Sequence, residues 1–327
     1  MSRAVTRIQS ALGDPRIVRA VVLFVSAGVL LYLFAIFWFG WNDTAAALAS
    51  IGLNTLLLGA VLSSSSYLWR FGRWESALRC FGHQVPKWRH FAIYLSGLAL
   101  TATPGKSGET FRSALLLQQG VRMSHSLAVF IVDRASDVLG MCLLGCAAAW
   151  MTGHPLAWAW MLAFLVLLSG SCSFAWLLLH PRAGTCWDWL NSAWQRLPVK
   201  GGQAVLENWA RVWQLPRVTA YSVAAMLAYG TQALVFAWFC DAAGTGVAAA
   251  TCVLIFVQAT LFGAASMSPG GLGAMEAALV IQLSERSVEG SVAVSIAIAI
   301  RLVTLWLGMA IGAICLLVSS RRTSARL

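Results

Sequence analysis

The sequence predicts an all-α integral membrane protein with six full transmembrane helices plus two re-entrant hairpins, arranged as an inverted repeat. Three observations predict it. Apolar residues make up 59% of the 327-residue chain and charged residues only 11%, whereas a soluble domain is about 25% charged. Six apolar runs reach bilayer length, and two more are broken at Pro-Gly. The Lys and Arg residues fall in loops that share one side if both broken runs turn back. This composition excludes an ordinary soluble enzyme and a disordered tail. The net charge of +11 raises nucleic acid as a partner, and the positions of the charges decide against it.

A spanning helix needs roughly 20 mostly apolar residues. Val18–Gly40, Ala45–Trp69, Ser126–Met151, Pro155–Leu179, Val218–Cys240 and Ser291–Ser319 qualify. The first is too long, and its polar leader too extended, for a cleaved signal peptide. Phe91–Leu117 is interrupted at Pro104-Gly105 and Gly246–Leu283 at Pro269-Gly270-Gly271. Proline lacks the amide hydrogen and glycine tolerates unusual backbone angles, so helices stop there. Irregular backbone at membrane depth is tolerated only where protein or a wet cavity covers it. Both breaks are therefore expected to be hairpin tips, with a kinked spanning helix as the plainer alternative.

Orientation follows from loop Lys and Arg. The leader carries Arg3, Arg7, Arg16 and Arg19, and the next loop only Asp43. Arg70, Arg73, Arg79, Lys87 and Arg89 follow the second run; Arg182, Arg196, Lys200, Arg211 and Arg217 lie in 181–217; Arg321, Arg322 and Arg326 close the chain. With two hairpins, all these sets are cytoplasmic, as are both termini, and the expected location is the bacterial cytoplasmic (inner) membrane. The basic excess is then a matter of orientation and anionic headgroups, and no nucleic-acid partner is needed. The chain reads as a single polytopic domain over 1–327. Its inverted halves are 1–152 and 153–327, with a cytoplasmic amphipathic connector at 181–217. Trp74, Leu78 and Phe81, like Trp187, Leu190 and Trp194 in the connector, are spaced for helices lying among headgroups.

Charges inside apolar runs are expensive and mark function. Eight lie there: Lys106, Glu109, Arg112, Asp133, Arg134, Asp137, Glu276 and Arg301. Four are basic and four acidic, which predicts a mutual network. Glu109 and Arg112 share a helix face, as do Asp133 and Asp137. These residues are the expected substrate-binding set. The expected hairpin tips are Pro104, Gly105, Gly108, Pro269, Gly270, Gly271 and Gly273. The alternative is that the charges only lock the two halves together. Thr304, Gly308 and Gly312 continue the face of Arg301, the glycines suiting close helix packing.

No catalytic residue, metal site or cofactor is indicated. The eight cysteines form no Cys-x-x-Cys pair, and the five histidines lack ligand spacing. Ser63 to Ser66 either line a cavity or bond to their own helix backbone.

The hairpins carry a resemblance. Pro104-x-x-x-Gly108-Glu109-x-x-Arg112, Asp133-Arg134-x-x-Asp137, Pro269-Gly270-Gly271-x-Gly273-x-x-Glu276 and Arg301 occur in that order. They resemble the signatures of the flippase-like membrane region of lysylphosphatidylglycerol synthases, over about 85–315. The resemblance implies movement of a lipid between leaflets. Stand-alone relatives are linked to hopanoids, other lipids or lipid-linked sugars. The chain ends at Leu327 with no soluble aminoacyl-transfer domain, so lysine transfer is not expected.

The expected function is a flippase moving a phospholipid or lipid-linked headgroup, with anionic or zwitterionic membrane lipids as partners; a homo-oligomer is compatible with the sequence. The alternative is a membrane-embedded transferase acting on a polyprenyl- or lipid-linked sugar, for which Asp43 is the only outer acid in the first half. Because the eight charges sum to zero, an anionic headgroup requires proton uptake on Glu109 or Glu276; otherwise the headgroup is zwitterionic or cationic.

Overall fold

A computed structural model describes residues 51–101, 111–155, 157–180 and 202–324, with Ala46 and Ala49. The first expected run, Val18–Gly40, lies outside them, as do Asp43, residues 181–201 and the first hairpin tip with Pro104, Gly105, Lys106, Gly108 and Glu109. Among the described residues the regular structure is entirely helical. The helices are α1 (Leu53–Arg79), α2 (Lys87–Ser96), α3 (Phe111–Leu117), α4 (Met123–Met151), α5 (Ala157–Leu179), α6 (Gly202–Val212), α7 (Leu215–Ala242), α8 (Ala249–Ala265), α9 (Ala274–Ser284), α10 (Gly290–Arg301) and α11 (Leu307–Ser324).

Three of these stretches are long and apolar enough to cross a bilayer: α5, α7 and Gly290–Val318, which joins α10 to α11. α5 makes the case for lipid most directly. Leu162, Leu165 and Val166 on it are exposed, an arrangement unfavourable in water and suited to acyl chains. Trp158 and Trp176, at its two ends, are also exposed. At 1.5 Å per residue they stand about 27 Å apart, close to the ~30 Å thickness of a hydrocarbon core. They sit where aromatic belts sit.

α1 runs past the expected end of its apolar run. Its buried positions are Gly59, Ser63, Ser66, Tyr67, Arg70, Arg73, Trp74, Ala77 and Leu78. The three-and-four spacing of one helix face thus continues through Arg70 and Arg73. Trp74 and Leu78, read from sequence as headgroup anchors, are core residues at 1% exposure each. The connector helix α6 packs against α4 and α5. Its Trp209 is buried, with Trp213 stacked at 5.3 Å between ring centroids, so protein covers this apolar face.

Both broken stretches place packed limbs on either side of the break. α2 and a 3-10 turn, Gly97–Leu100, pack against α3. α8 packs along α9 around a 3-10 turn at Pro269–Gly271. The second turn is tight. Gly270, Gly271 and Gly273 have φ of +62°, +72° and +81°, angles that other residues adopt only at a cost. Gly271 rests on the backbone of Gly263, 3.5 Å from where its Cβ would be.

The element order repeats: long helix, limb, 3-10 turn, limb, long helix, first in α1–α4 and again in α7–α11. The packing is crossed. The first hairpin's limb and turn lie against α11, while α8 of the second lies against α4. Gly312 lets α11 approach the Leu95 and Leu98 backbone, and Gly308 meets the Tyr67 hydroxyl. α1 and α7 pack on one another, and α7 also packs on α4. Two apolar clusters result. One joins Phe236, Phe256, Leu279 and Ile300; the other joins Trp74, Tyr94, Val132 and Trp209.

The α4–α7 crossing depends on Gly140. A Cβ there would stand 2.5 Å from Ala225 Cβ and 2.7 Å from the Met226 amide nitrogen. Gly140→Ala is expected to lower stability by about 1–3 kcal/mol through overpacking. Gly170 on α5 has nothing within 4 Å of its Cβ position, and Gly170→Ala is expected to be neutral or stabilising by up to ~1 kcal/mol. Thermal unfolding of the two variants in detergent checks the contrast.

Candidate functional site

Two helices bring a first set of buried charges together. α4 contributes Asp133, Arg134 and Asp137, and α1 contributes Arg70 and Arg73. Asp133 is 1% exposed and Asp137 is 3%. Arg73 bridges them: Nε donates to Asp133 Oδ1 at 2.9 Å and Nη2 to Asp137 Oδ1 at 2.7 Å, with a further close contact to Asp133. Arg134 pairs with Asp133 at 2.6 Å and Asp137 at 3.2 Å. The Tyr229 hydroxyl on α7 donates to Asp137 at 3.3 Å. Two carboxylates and two guanidinium groups thus form one compensated cluster, the arrangement that makes buried charge tolerable.

The second cluster is at the Pro269 break. Arg301 Nε donates to Glu276 Oε1 at 2.7 Å. Its Nη2 donates to the Gly270 carbonyl, also at 2.7 Å. A carbonyl freed by the turn thus finds a charged donor from α10, which lets irregular backbone persist away from water. Directly after Arg301 the helix loosens into a π-helical turn, Leu302–Trp306, a local irregularity that often marks functional sites.

Two arginines rest on aromatic rings. Arg112 lies 4.5 Å from the Trp74 ring and 4.6 Å from that of Tyr94. Arg70 lies 4.4 Å from the Tyr229 ring. Arg70 has no ion-pair partner among the described residues, and its Nε is buried without a hydrogen bond. Cation–π contact stabilises such a group only in part.

Arg70 and Arg301 meet at a cavity of about 80 Å³, also bounded by Tyr67, Tyr229, Gln232 and Thr304. None of its described walls is a carboxylate. Gln232 is held by a hydrogen bond to Ser66 at 3.2 Å. Ser64, Ser65 and Ser66 bond to carbonyls of their own helix, the plainer of the two readings for that run.

Of the expected set, Asp133, Arg134 and Asp137 come together in one cluster and Glu276 and Arg301 in another. Arg112 rests on the Trp74 and Tyr94 rings, its charge felt by Asp133, and Lys106 and Glu109 lie outside the described residues. Gly270 takes part through its carbonyl, while Pro269, Gly271 and Gly273 shape the turn. The sequence reading missed Arg70 and Arg73, which it assigned to a cytoplasmic loop. The signal was present: both keep the 3–4 spacing of Ser63, Ser66 and Tyr67. The consequence is electrostatic. Among the described residues four arginines and three carboxylates are buried, with Arg134 and Glu75 partly so, which leaves cations one ahead and not in neutral balance.

None of the described cysteines is in a disulfide, and no group of His, Cys, Asp and Glu among the described residues suits a metal ion.

Exposed apolar helices of bilayer length around buried ion pairs and a Pro-Gly helix break define a polytopic membrane protein. The chain matches the lysylphosphatidylglycerol synthase transmembrane region over residues 23–312 and belongs to that family. A search of curated proteins finds no match.

Breaking the Arg73 bridge leaves buried charge uncompensated. Asp133→Asn and Arg73→Gln are each expected to cost about 3–5 kcal/mol. The pair between Arg79 and Glu75 has the same 2.7 Å length, but its arginine side chain is 55% exposed, so Arg79→Gln is expected to cost at most ~1 kcal/mol. Thermal unfolding of the three purified variants measures the difference.

Proposed function

We propose that the chain is a lipid flippase, moving a phospholipid or lipid-linked headgroup between leaflets of a bacterial cytoplasmic membrane. The observation that carries this reading is the cavity between Arg70 and Arg301, bounded by two cations, polar groups and apolar side chains such as Leu98, Phe256 and Met275, and reaching the Pro269 turn at Gly270. In this reading both hairpins are re-entrant, the repeated halves are inverted, and the termini are cytoplasmic. The crossed packing of each hairpin on the other half supports the repeat. Broken helices meeting inside the membrane are a common way to build a transport site.

Charge selects the substrate. With the buried set neutral, an anionic headgroup would need a proton on Glu109 or Glu276. With Arg70 and Arg73 inside the set, cations outnumber carboxylates among the described buried residues, which favours a headgroup carrying a net negative phosphate, with no proton required. Arg70 is the arginine poised to meet it, because Arg301 already serves Glu276 and Gly270. At about 80 Å³ the cavity is narrow for a whole lipid headgroup. Passage therefore requires the walls to part. The π-helical turn after Arg301 is placed to absorb that change. The reading is of a transporter, with no enzymatic step.

A fluorescent-lipid assay in proteoliposomes tests the proposal. Phosphatidylglycerol is expected to move faster than phosphatidylethanolamine. Arg70→Gln should slow phosphatidylglycerol about tenfold or more, the loss of one charge-assisted contact, with Arg134→Ala and Glu276→Gln also slowed. Unchanged flipping by Arg70→Gln would remove the basis of the mechanism.

A further inference from the structure

A larger cleft lies elsewhere, at the junction of α1 and α2. Its volume is about 620 Å³, and it shares no lining residue with the Arg70–Arg301 cavity. Glu75, Arg79, His83, Pro86, Lys87 and His90 are among its walls.

Its chemistry is that of an anion site. α2 begins at Lys87, has no side-chain cap and carries no acidic residue in its first turn. Backbone amides at a helix start attract anions. Lys87 and Arg79 add full positive charges, and the one acid, Glu75, is already paired with Arg79 at 2.7 Å.

A buried group marks the same place independently. His90 forms part of the cleft wall, is 2% exposed and has no hydrogen-bond partner at Nε2. A buried imidazole nitrogen without a partner is costly, and a ligand oxygen would satisfy it.

The cleft is also held in shape. His83 Nε2 lies 2.8 Å from His125 Nδ1, and the Phe81 ring stacks on His125 at 4.2 Å between centroids. These contacts fix the Phe81–Pro86 loop to the start of α4. Trp88, 80% exposed, stands in the turn beside the cleft, as an amphipathic ring at a bilayer surface does.

We propose that this cleft is a second site, taking the phosphate of a phosphoester at the membrane surface through Lys87, Arg79, His90 and the α2 amides. It is independent of the transport reading, since it uses none of the buried arginines. The ester is either a lipid headgroup or a soluble phosphate compound, and the shared chemistry is the phosphate.

The test is equilibrium binding of radiolabelled glycerol 3-phosphate to the full chain in phosphatidylcholine nanodiscs. The wild type is expected to bind a single equivalent. Lys87→Gln and His90→Gln should each weaken binding by about tenfold, and Arg70→Gln should leave it intact even where it stops flipping. Phosphatidylglycerol doped into the discs distinguishes the sources: displacement identifies a lipid headgroup, and lack of displacement a soluble phosphoester. Lys87 is exposed, so its variant is expected to keep the wild-type unfolding midpoint. Wild-type binding by a folded Lys87→Gln, loss of binding by Arg70→Gln, or no binding by the wild type would overturn the site.

Discussion

Arg301 holds the Gly270 carbonyl and the Glu276 carboxylate at the same time, and the second half of the molecule is organised around that fact. A chain that turns back at a Pro-Gly break frees backbone groups that lipid cannot satisfy. The nearest remedy is a donor from another helix, and a guanidinium supplies several in a rigid fork. One side chain therefore closes the turn, compensates the glutamate and ties α10 to the α8–α9 hairpin. The π-helical turn that follows sits directly beside this tie.

The first half meets a related constraint differently. Asp133 and Asp137 lie one helical turn apart on α4 and would repel one another if left alone. Arg73 reaches both from α1, and Arg134 completes the set from their own helix. The ion pairs thus hold α1 to α4 much as Arg301 holds α10 to its hairpin. Such pairs are weak evidence for net stability, since desolvation opposes their attraction. Their clearer effect is on register, because a shifted helix would strand a charge. Arg70 differs from all of these. Its ring contact orients it, no carboxylate among the described residues lies within ion-pair distance of it, and it borders the cavity.

Much of this was legible in the sequence. Charges within apolar runs are rare enough that Asp133, Arg134, Asp137, Glu276 and Arg301 identified themselves as a buried set, and the Pro269-Gly270-Gly271 break identified a turn. Arg70 and Arg73 escaped because an apolar run seemed to end at Trp69, and basic residues after such a run read as a loop. Helical spacing contradicted that ending, with Trp74, Ala77 and Leu78 continuing the buried face. Reassigning two arginines left cations ahead of carboxylates among the described buried residues, and with that changed the expected charge of the substrate.

By itself the sequence determined the solvent, the helical class and the positions of the costly residues, because transfer of apolar and charged groups depends on composition and spacing alone. Tertiary structure decided which charges compensate one another. Partnership is a matter of distance between helices far apart in the chain. Arg73 and Asp133 come from separate helices, as do Arg301 and Gly270, and no local pattern encodes their meeting.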